Sequence, residues 1–277
     1  MKIYEDYLTG IRNAISSQHI SEAVNFSAGI EKSLQNKYEL PSSMQGLSDL
    51  LQRKSLKTDQ KLGAHPDFNH LDNFETENHY IVSVFIDIKN STGLFRKLSP
   101  EKIFVITRFI QLAGIHTCQM FNGYVHRLQG DGLFLYFGNR QDDARMAVTN
   151  ALQAVSLYTY FIKEDLPKVL DELNLDQKIF VRTGIDLGEA KDVVWGKAGI
   201  GEVSEITTTS LHTSLASKMQ GHAQSNGVVV GNNVIKKLPS SSEYFAPVVH
   251  RTKTLVTDIS SRILTRAFTM RNMTLTG

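Results

Sequence analysis

Two aspartates stand where chemistry on a phosphate would need them. Asp87 follows the apolar run Val84-Phe85-Ile86 and precedes Ile88-Lys89-Asn90-Ser91-Thr92-Gly93, a short polar stretch. Asp131 sits in Gly130-Asp131-Gly132, between the runs Tyr124–Leu128 and Leu133–Phe137. Two carboxylates on neighbouring strand ends can hold two divalent cations about 3.5 to 4 Å apart, the arrangement used for in-line attack at phosphorus. Each residue alone has an ordinary explanation, because aspartate caps turns and tolerates hairpin tips. The chemistry rests on the fold bringing the two together.

The surrounding periodicity predicts such a fold. Tyr80 to Ile88 is a nearly continuous apolar run, as in a strand covered on both faces. Ile103, Ile106, Ile110 and Ala113 mark a helix that starts after Ser99-Pro100-Glu101, with serine as cap and proline at the first helical position. The runs on either side of Asp131 read as a hairpin with that residue at its tip. A second helix carries Ala144, Val148, Ala151 and Val155 on one face, beginning at Asp142-Asp143, where carboxylates favour the helix dipole. A strand over Ile179–Ile185, a helix over Leu211–Gln220 and a short strand at Val228–Val230 follow. The order strand, helix, strand, strand, helix, strand is the ferredoxin-like α+β arrangement, which places the first strand's end beside the central hairpin. Strand-like runs at Tyr244–Val249 and Ile263–Met270 are expected to complete the sheet.

Residues 1–75 read as a helical N-terminal extension and linker, and residues 76–277 as the catalytic domain. Apolar faces in the extension are Tyr7, Ile11 and Ile15, then Ala23, Phe26, Ile30 and Leu34, then Leu47, Leu50 and Leu51. Gly63 to Asn73 has the turn residues of a solvated linker, with His65 and His70 in water rather than on a metal. His116, His126, His212, His222 and His250 show no ligand spacing.

A formal net charge of +2 and the lack of a lysine or arginine run argue against a nucleic-acid polymer as partner. No stretch approaches 18 consecutive apolar residues, and Met1-Lys2-Ile3-Tyr4-Glu5-Asp6 is unlike a signal peptide. A cytoplasmic protein without membrane insertion is expected. The single cysteine, Cys118, lies in an apolar helical pattern and reads as a buried thiol; alone it makes no intramolecular disulfide.

Four segments, in order over roughly residues 80–240, resemble the class III nucleotide cyclases, the adenylate and guanylate cyclase catalytic domain. Phe85-Ile86-Asp87-Ile88 with Ser91-Thr92 is similar to the first metal motif, and Arg127-Leu128-Gln129-Gly130-Asp131-Gly132 to the second. Val181–Gly188 is similar to the strand that follows, and Ser214-Leu215-Ala216-Ser217-Lys218-Met219 to the transition-state helix. The resemblance implies two divalent cations, magnesium or manganese, held by Asp87, the Ile88 carbonyl and Asp131. It implies phosphate contacts from Asn90, Ser91 and Thr92, a triphosphate contact from Arg182, and a homodimer with shared active sites.

Two departures bear on mechanism. The transition-state helix of the family usually carries asparagine and arginine; Ser214 and Lys218 stand there, so the charge is kept and the bidentate fork is lost. At the base-reading position, usually lysine or glutamate, this chain has Arg127, with Thr207 aligned to the second base contact. A closer resemblance is to the bacterial pyrimidine cyclases of Pycsar anti-phage systems, which implies cyclic CMP or cyclic UMP as product and a separate effector that senses it. Arg127 is a pure donor, matching the N3 and O2 acceptors of cytosine, and its bulk disfavours a purine. CTP is therefore expected first and UTP next; a cyclase using ATP and a non-catalytic nucleotide-binding module remain open on the sequence.

Overall fold

The structure, a computed structural model, describes residues 3–16, 44–45, 61–239, 245–247 and 266–268. Among these, the central element is β2 (Ile81–Ile88), buried along nearly its whole length. Val82, Val84, Ile86 and Ile88 face the main core, while Ile81 and Phe85 face a second, aromatic cluster on the other side. Period-two alternation explains both the unbroken apolar run and the position of Asp87, whose side chain falls on the face with Ile81 and Phe85.

β2 pairs antiparallel with β4 (Gly132–Phe137) and with β5 (Val181–Gly188). β3 (Gly123–Gln129) lies outside β4, and β8 (Gly227–Val230) runs parallel to β5. The strand pairs Ala246–Pro247 and Arg266–Phe268 (β9 and β10) extend the sheet beyond β8, giving the order β3-β4-β2-β5-β8-β10-β9. The ferredoxin-like order and the completion of the sheet by C-terminal strands are as the sequence predicts.

The main core lies between this sheet and its helices. α2 (Pro100–Met120) is capped by Ser99, whose hydroxyl accepts from the Lys102 N–H, and α3 (Ala144–Tyr160) by Asp143, which accepts from the Met146 N–H. One π turn (Phe161–Asp165) joins α3 to α4 (Leu166–Glu172). α1 (Glu5–Ser16) adds Tyr7 and Ile11 to the same core, with Ile15 half-buried at its edge. The Tyr4 hydroxyl meets Thr117 at 2.8 Å and the Tyr7 hydroxyl meets His116 Nδ1 at 2.5 Å, so α1 is fastened to α2 by polar as well as apolar contacts. Cys118 is buried, and burial pushes its thiol pKa up. The remaining faces read for the N-terminal extension, Ala23 to Leu51, lie outside the described residues.

The sequence reading has no element between Ile185 and Leu211, yet two strands form there. β6 (Val193–Ile200) and β7 (Val203–Ser210) make a hairpin, and β1 (Thr76–Asn78) pairs with β6 to give a three-stranded sheet. Glycines at 196 and 199 and the run Thr207-Thr208-Thr209 hid it, since glycine is depleted in strands and no apolar alternation is present. Trp195, Val193 and Ile206 from this hairpin pack with Phe68, Tyr124, Phe134 and Tyr136 to form the aromatic cluster.

Gly63–Asn73 is not the solvated linker its turn residues predict. His65 and Phe68 are fully buried and Leu71 nearly so, while His70 is exposed as expected. Gly63 adopts φ +70°, receives the Ile206 N–H on its carbonyl at 2.7 Å and donates its own N–H to the His126 carbonyl at 2.8 Å. It thereby ties β7 of the small sheet to β3 of the large one. An aromatic pair of histidine and phenylalanine inside a turn-rich stretch was the available signal, outweighed by the glycine and proline around it.

Candidate active site

Asp87 and Asp131 do meet. A Cβ added to Gly132 would lie 2.7 Å from the Ile86 carbonyl oxygen and 3.6 Å from Asp87 Cα, so the β3–β4 turn bearing Asp131 presses against the end of β2 and needs glycine beside it. Gln111 on α2 anchors that turn by donating to the Gly130 carbonyl at 2.8 Å. Asp87 lies opposite Arg182 in the β2–β5 register, and Arg182 Nη2 donates to Asp87 Oδ2 at 2.7 Å. Gln220 Nε2 donates to the same oxygen at 3.0 Å.

Asp131 is poorer in partners. Ser91 donates to its carboxylate, but Oδ2 is buried with no hydrogen-bond partner. Burial raises the Asp131 pKa, Asp87 raises it further, and the Ser91 bond and Arg182 oppose that rise. A buried acceptor without a donor costs about 1–3 kcal/mol, so this oxygen destabilises the fold unless something cationic meets it. The donor set is all oxygen, which suits magnesium or manganese. Among the described residues no group of three or more histidine, cysteine and acidic side chains forms a metal cluster, so any cation here leans on main-chain and substrate oxygens as well. Ile88 ends β2 opposite Val181, its side chain in the core. Asn90 is exposed in the left-handed conformation at φ 59°, and Ser91–Arg96 is a 3-10 turn with Thr92 exposed.

Arg127 and Thr207, expected to read the base, sit where the two sheets join. The β3–β4 register skips a residue between Val125 and Arg127, a bulge that re-aims the chain at His126 and Arg127. Arg127 forks onto Glu205 of β7: Nε donates to Oε2 at 2.7 Å and Nη2 contacts Oε1. Thr207, two residues along β7, meets His126 Nε2 at 3.4 Å. His126 stacks on Tyr136 with ring centroids 4.7 Å apart, and burial, then Arg127 and His65, lower its pKa to about 4. It is a neutral ring at physiological pH. Glu205, His126 and Gln220 were not singled out by the sequence; the alternation of Glu205 and Thr207 points to one face only once β7 is known to be a strand.

No family model matches the sequence. Curated relatives do: a Staphylococcus aureus protein named cytidylate cyclase is 38% identical over 195 residues, 70% of this chain and 46% of the relative. An Escherichia coli protein of the same name is 36% identical over 182 residues, 64% of this chain and 39% of the relative. The chain thus spans less than half the length of the relatives it matches. Among solved structures, the adenylyl cyclase CyaB of P. aeruginosa matches with a TM-score of 0.62 at 15% identity, over 73% of this chain and all of that one. The guanylyl cyclase Cya2 matches with a TM-score of 0.59 at 14% identity, over 73% of this chain and 96% of that one. The chain has the fold of these adenylyl and guanylyl cyclases.

The helix expected to carry the transition-state residues is α5 (Leu211–His222), which begins at Ser210, whose hydroxyl accepts from the His212 N–H. Ala216 and Met219 face inward, and Gln220 reaches Asp87. Ser214 and Lys218 lie on the exposed face, where Ser214 donates only to the Ser210 carbonyl at 3.4 Å. Within one chain, Asp87, Asp131, Arg182 and Ser91 converge, Arg127 and Thr207 gather at the sheet junction, and Ser214 and Lys218 contact neither aspartate. His212 is used structurally: its Nδ1 is 2.9 Å from buried Asp186, a bond that raises the His212 pKa.

Proposed function

We propose that this cyclase domain converts CTP, with UTP the second choice, to the 3′,5′-cyclic monophosphate and pyrophosphate. The buried, partnerless Asp131 oxygen beside Asp87 is the observation that carries the reaction type, and the relatives named cytidylate cyclase support the base. The 3′-oxygen forms a bond to the α-phosphorus, the bond from that phosphorus to the bridging oxygen breaks, and the hydroxyl proton leaves to solvent. Asp87, Asp131 and the Ile88 carbonyl would hold two magnesium or manganese ions, which when bound supply charge neutralisation on the phosphates and acidify the hydroxyl.

The chain's own residues divide the remaining work. Arg182 and Gln220 fix the Asp87 rotamer, and the free guanidinium donors of Arg182 are available to the triphosphate. Asn90, Ser91 and Thr92 offer donors at the turn after β2. Lys218 stabilises charge growing on the α-phosphate, where one well-placed donor is worth about 3–4 kcal/mol, and Ser214 bonds a ribose oxygen.

Because Ser214 and Lys218 face outward, they serve the carboxylates of a second copy, which makes the enzyme a homodimer with two composite sites. Exposed Leu211 on α5 and exposed Ile200 and Val203 at the β6–β7 tip supply apolar surface for that contact. No helix among the described residues is long and apolar enough to cross a membrane, and a cytoplasmic enzyme drawing on the nucleotide pool fits the substrate. The cyclic product is a second messenger in anti-phage defence, sensed by a separate effector.

Incubating the protein with ATP, GTP, CTP and UTP plus manganese and identifying products by mass tests this reading. Cyclic CMP as the main product supports it. Cyclic AMP would overturn the pyrimidine assignment, and no cyclic product from any of the four would leave a nucleotide-binding module.

A further inference from the structure

The pairing of Arg127 with a carboxylate changes what the base end can recognise. Arginine alone offers donors only, and those donors fit the O4 and O2 acceptors of uracil as readily as the N3 and O2 acceptors of cytosine. Here the side-on fork of Arg127 is spent on Glu205, leaving both Nη1 hydrogens and one Nη2 hydrogen free, while each Glu205 oxygen keeps a second lone pair. The Arg127 side chain is 50% exposed and that of Glu205 19%, so the pair opens to solvent on one side. The result is an acceptor set beside a row of donors.

We propose that Glu205 is the specificity-determining residue for the base: its carboxylate accepts from the cytosine N4 amine while Arg127 donates to N3 and O2. This rests on the cyclase reading above and deepens it. Uracil would turn its O4 carbonyl toward the carboxylate and its N3–H toward the guanidinium, two mismatches in one edge. Sites built around a buried hydrogen-bonding group reject the analogue with the wrong polarity far more strongly than apolar pockets reject a methylene.

Three neighbours hold the carboxylate in place. Gly63 packs on Glu205 so closely that an added Cβ would sit 2.8 Å from Glu205 Cβ. His126 Nε2 is 3.9 Å from Oε1 and its ring is neutral, so it does not compete with Arg127 for the charge. Thr207 lies on the same face of β7. Adenine shows a similar amine and ring-nitrogen edge, so Glu205 separates cytosine from uracil and leaves the purine to be excluded by size.

The deciding experiment compares CTP with UTP for the wild type, Glu205→Gln and Glu205→Ala, by kcat/KM and by equilibrium binding in manganese. The amide of Glu205→Gln can donate to O4, so the CTP-to-UTP ratio is expected to fall roughly tenfold, the size of one good base-edge contact, mainly through a gain on UTP. Glu205→Ala is expected to lose CTP affinity without that gain. A ratio unchanged in both variants, or a wild type that prefers UTP, would overturn the proposal, since an ion pair that only holds Arg127 in place gives Glu205→Gln no gain on UTP. If the wild type forms no cyclic product, the binding ratio still reads out Glu205, so the cyclase reading and the base-reading proposal fail separately.

Discussion

At the carboxylate end of the domain, β2 stops at Ile88, the hairpin turn carries Asp131 to it, and Arg182 faces Asp87 across one register step of a single sheet. At the base end, Arg127 and Glu205 come from different sheets, joined by a bulge at His126 and by Gly63 bonded to both strands. One site is a consequence of local strand order. The other depends on a clamp some sixty residues earlier in the chain and on a hairpin that has no apolar alternation. Regular pairing positions the groups proposed to act on phosphate, and irregular joints position the part proposed to choose the base.

That difference can be broken end by end. Asp87→Ala removes one proposed cation ligand and frees Arg182 and Gln220; cyclic product formation is expected to fall at least about a thousandfold, a loss of several kcal/mol of transition-state stabilisation. Nucleotide binding should keep its CTP-to-UTP ratio, because the base end is untouched. A variant that loses the ratio along with turnover would show the two ends to be one unit.

Acid should act chiefly through three buried histidines. His65, His116 and His126 are held neutral by burial, each lowered to about 4. Below about 6.5 the unfolded chain takes up protons that the folded chain refuses, so unfolding binds up to about three protons and stability falls as pH drops from about 6.5 toward 4. His212 runs the other way: its raised pKa contributes stability that is full below about 6.5 and fades as pH rises through the raised value. Thermal melting from pH 8 to pH 4.5 should show the net acid loss, and His126→Asn should make the profile shallower.

The smallest expected effect comes from Gly63→Ala. Residue 63 sits at φ +70°, a conformation costing about 1–2 kcal/mol for a residue with a side chain, and the new methyl presses on Glu205. A melting temperature lower by a few degrees with a raised KM for CTP and little change in kcat is expected. A large fall in kcat instead would mean that the clamp supports the carboxylates too.

The sequence made the carboxylate end legible because an apolar run, a Gly-Asp-Gly tip and the order of strands are local signals, and Asp87 and Asp131 meet wherever those signals hold. Ser99 as a cap and a helix start at Asp142-Asp143 were readable for the same reason. Glu205 was not, because its role depends on β7, and β7 is written in threonines. His65 looked solvated because the residues around it are turn formers, although its ring lies 4.2 Å from that of Tyr124 and its Nε2 donates to the Gly138 carbonyl at 3.1 Å. Gln220 escaped notice because a glutamine near a helix end carries no pattern; only the packing of α5 on β5 brings it to Asp87.

Asp131→Asn tests the central claim most directly, measured for melting temperature without divalent cation and for cyclic CMP formed from CTP in manganese. The substitution keeps the side chain's shape and removes a buried charge whose pKa burial has raised, so the variant should melt at least as high as the wild type and form no cyclic CMP. A variant that still makes cyclic CMP at wild-type rates would contradict the account, because the partnerless oxygen would then have no part in the reaction.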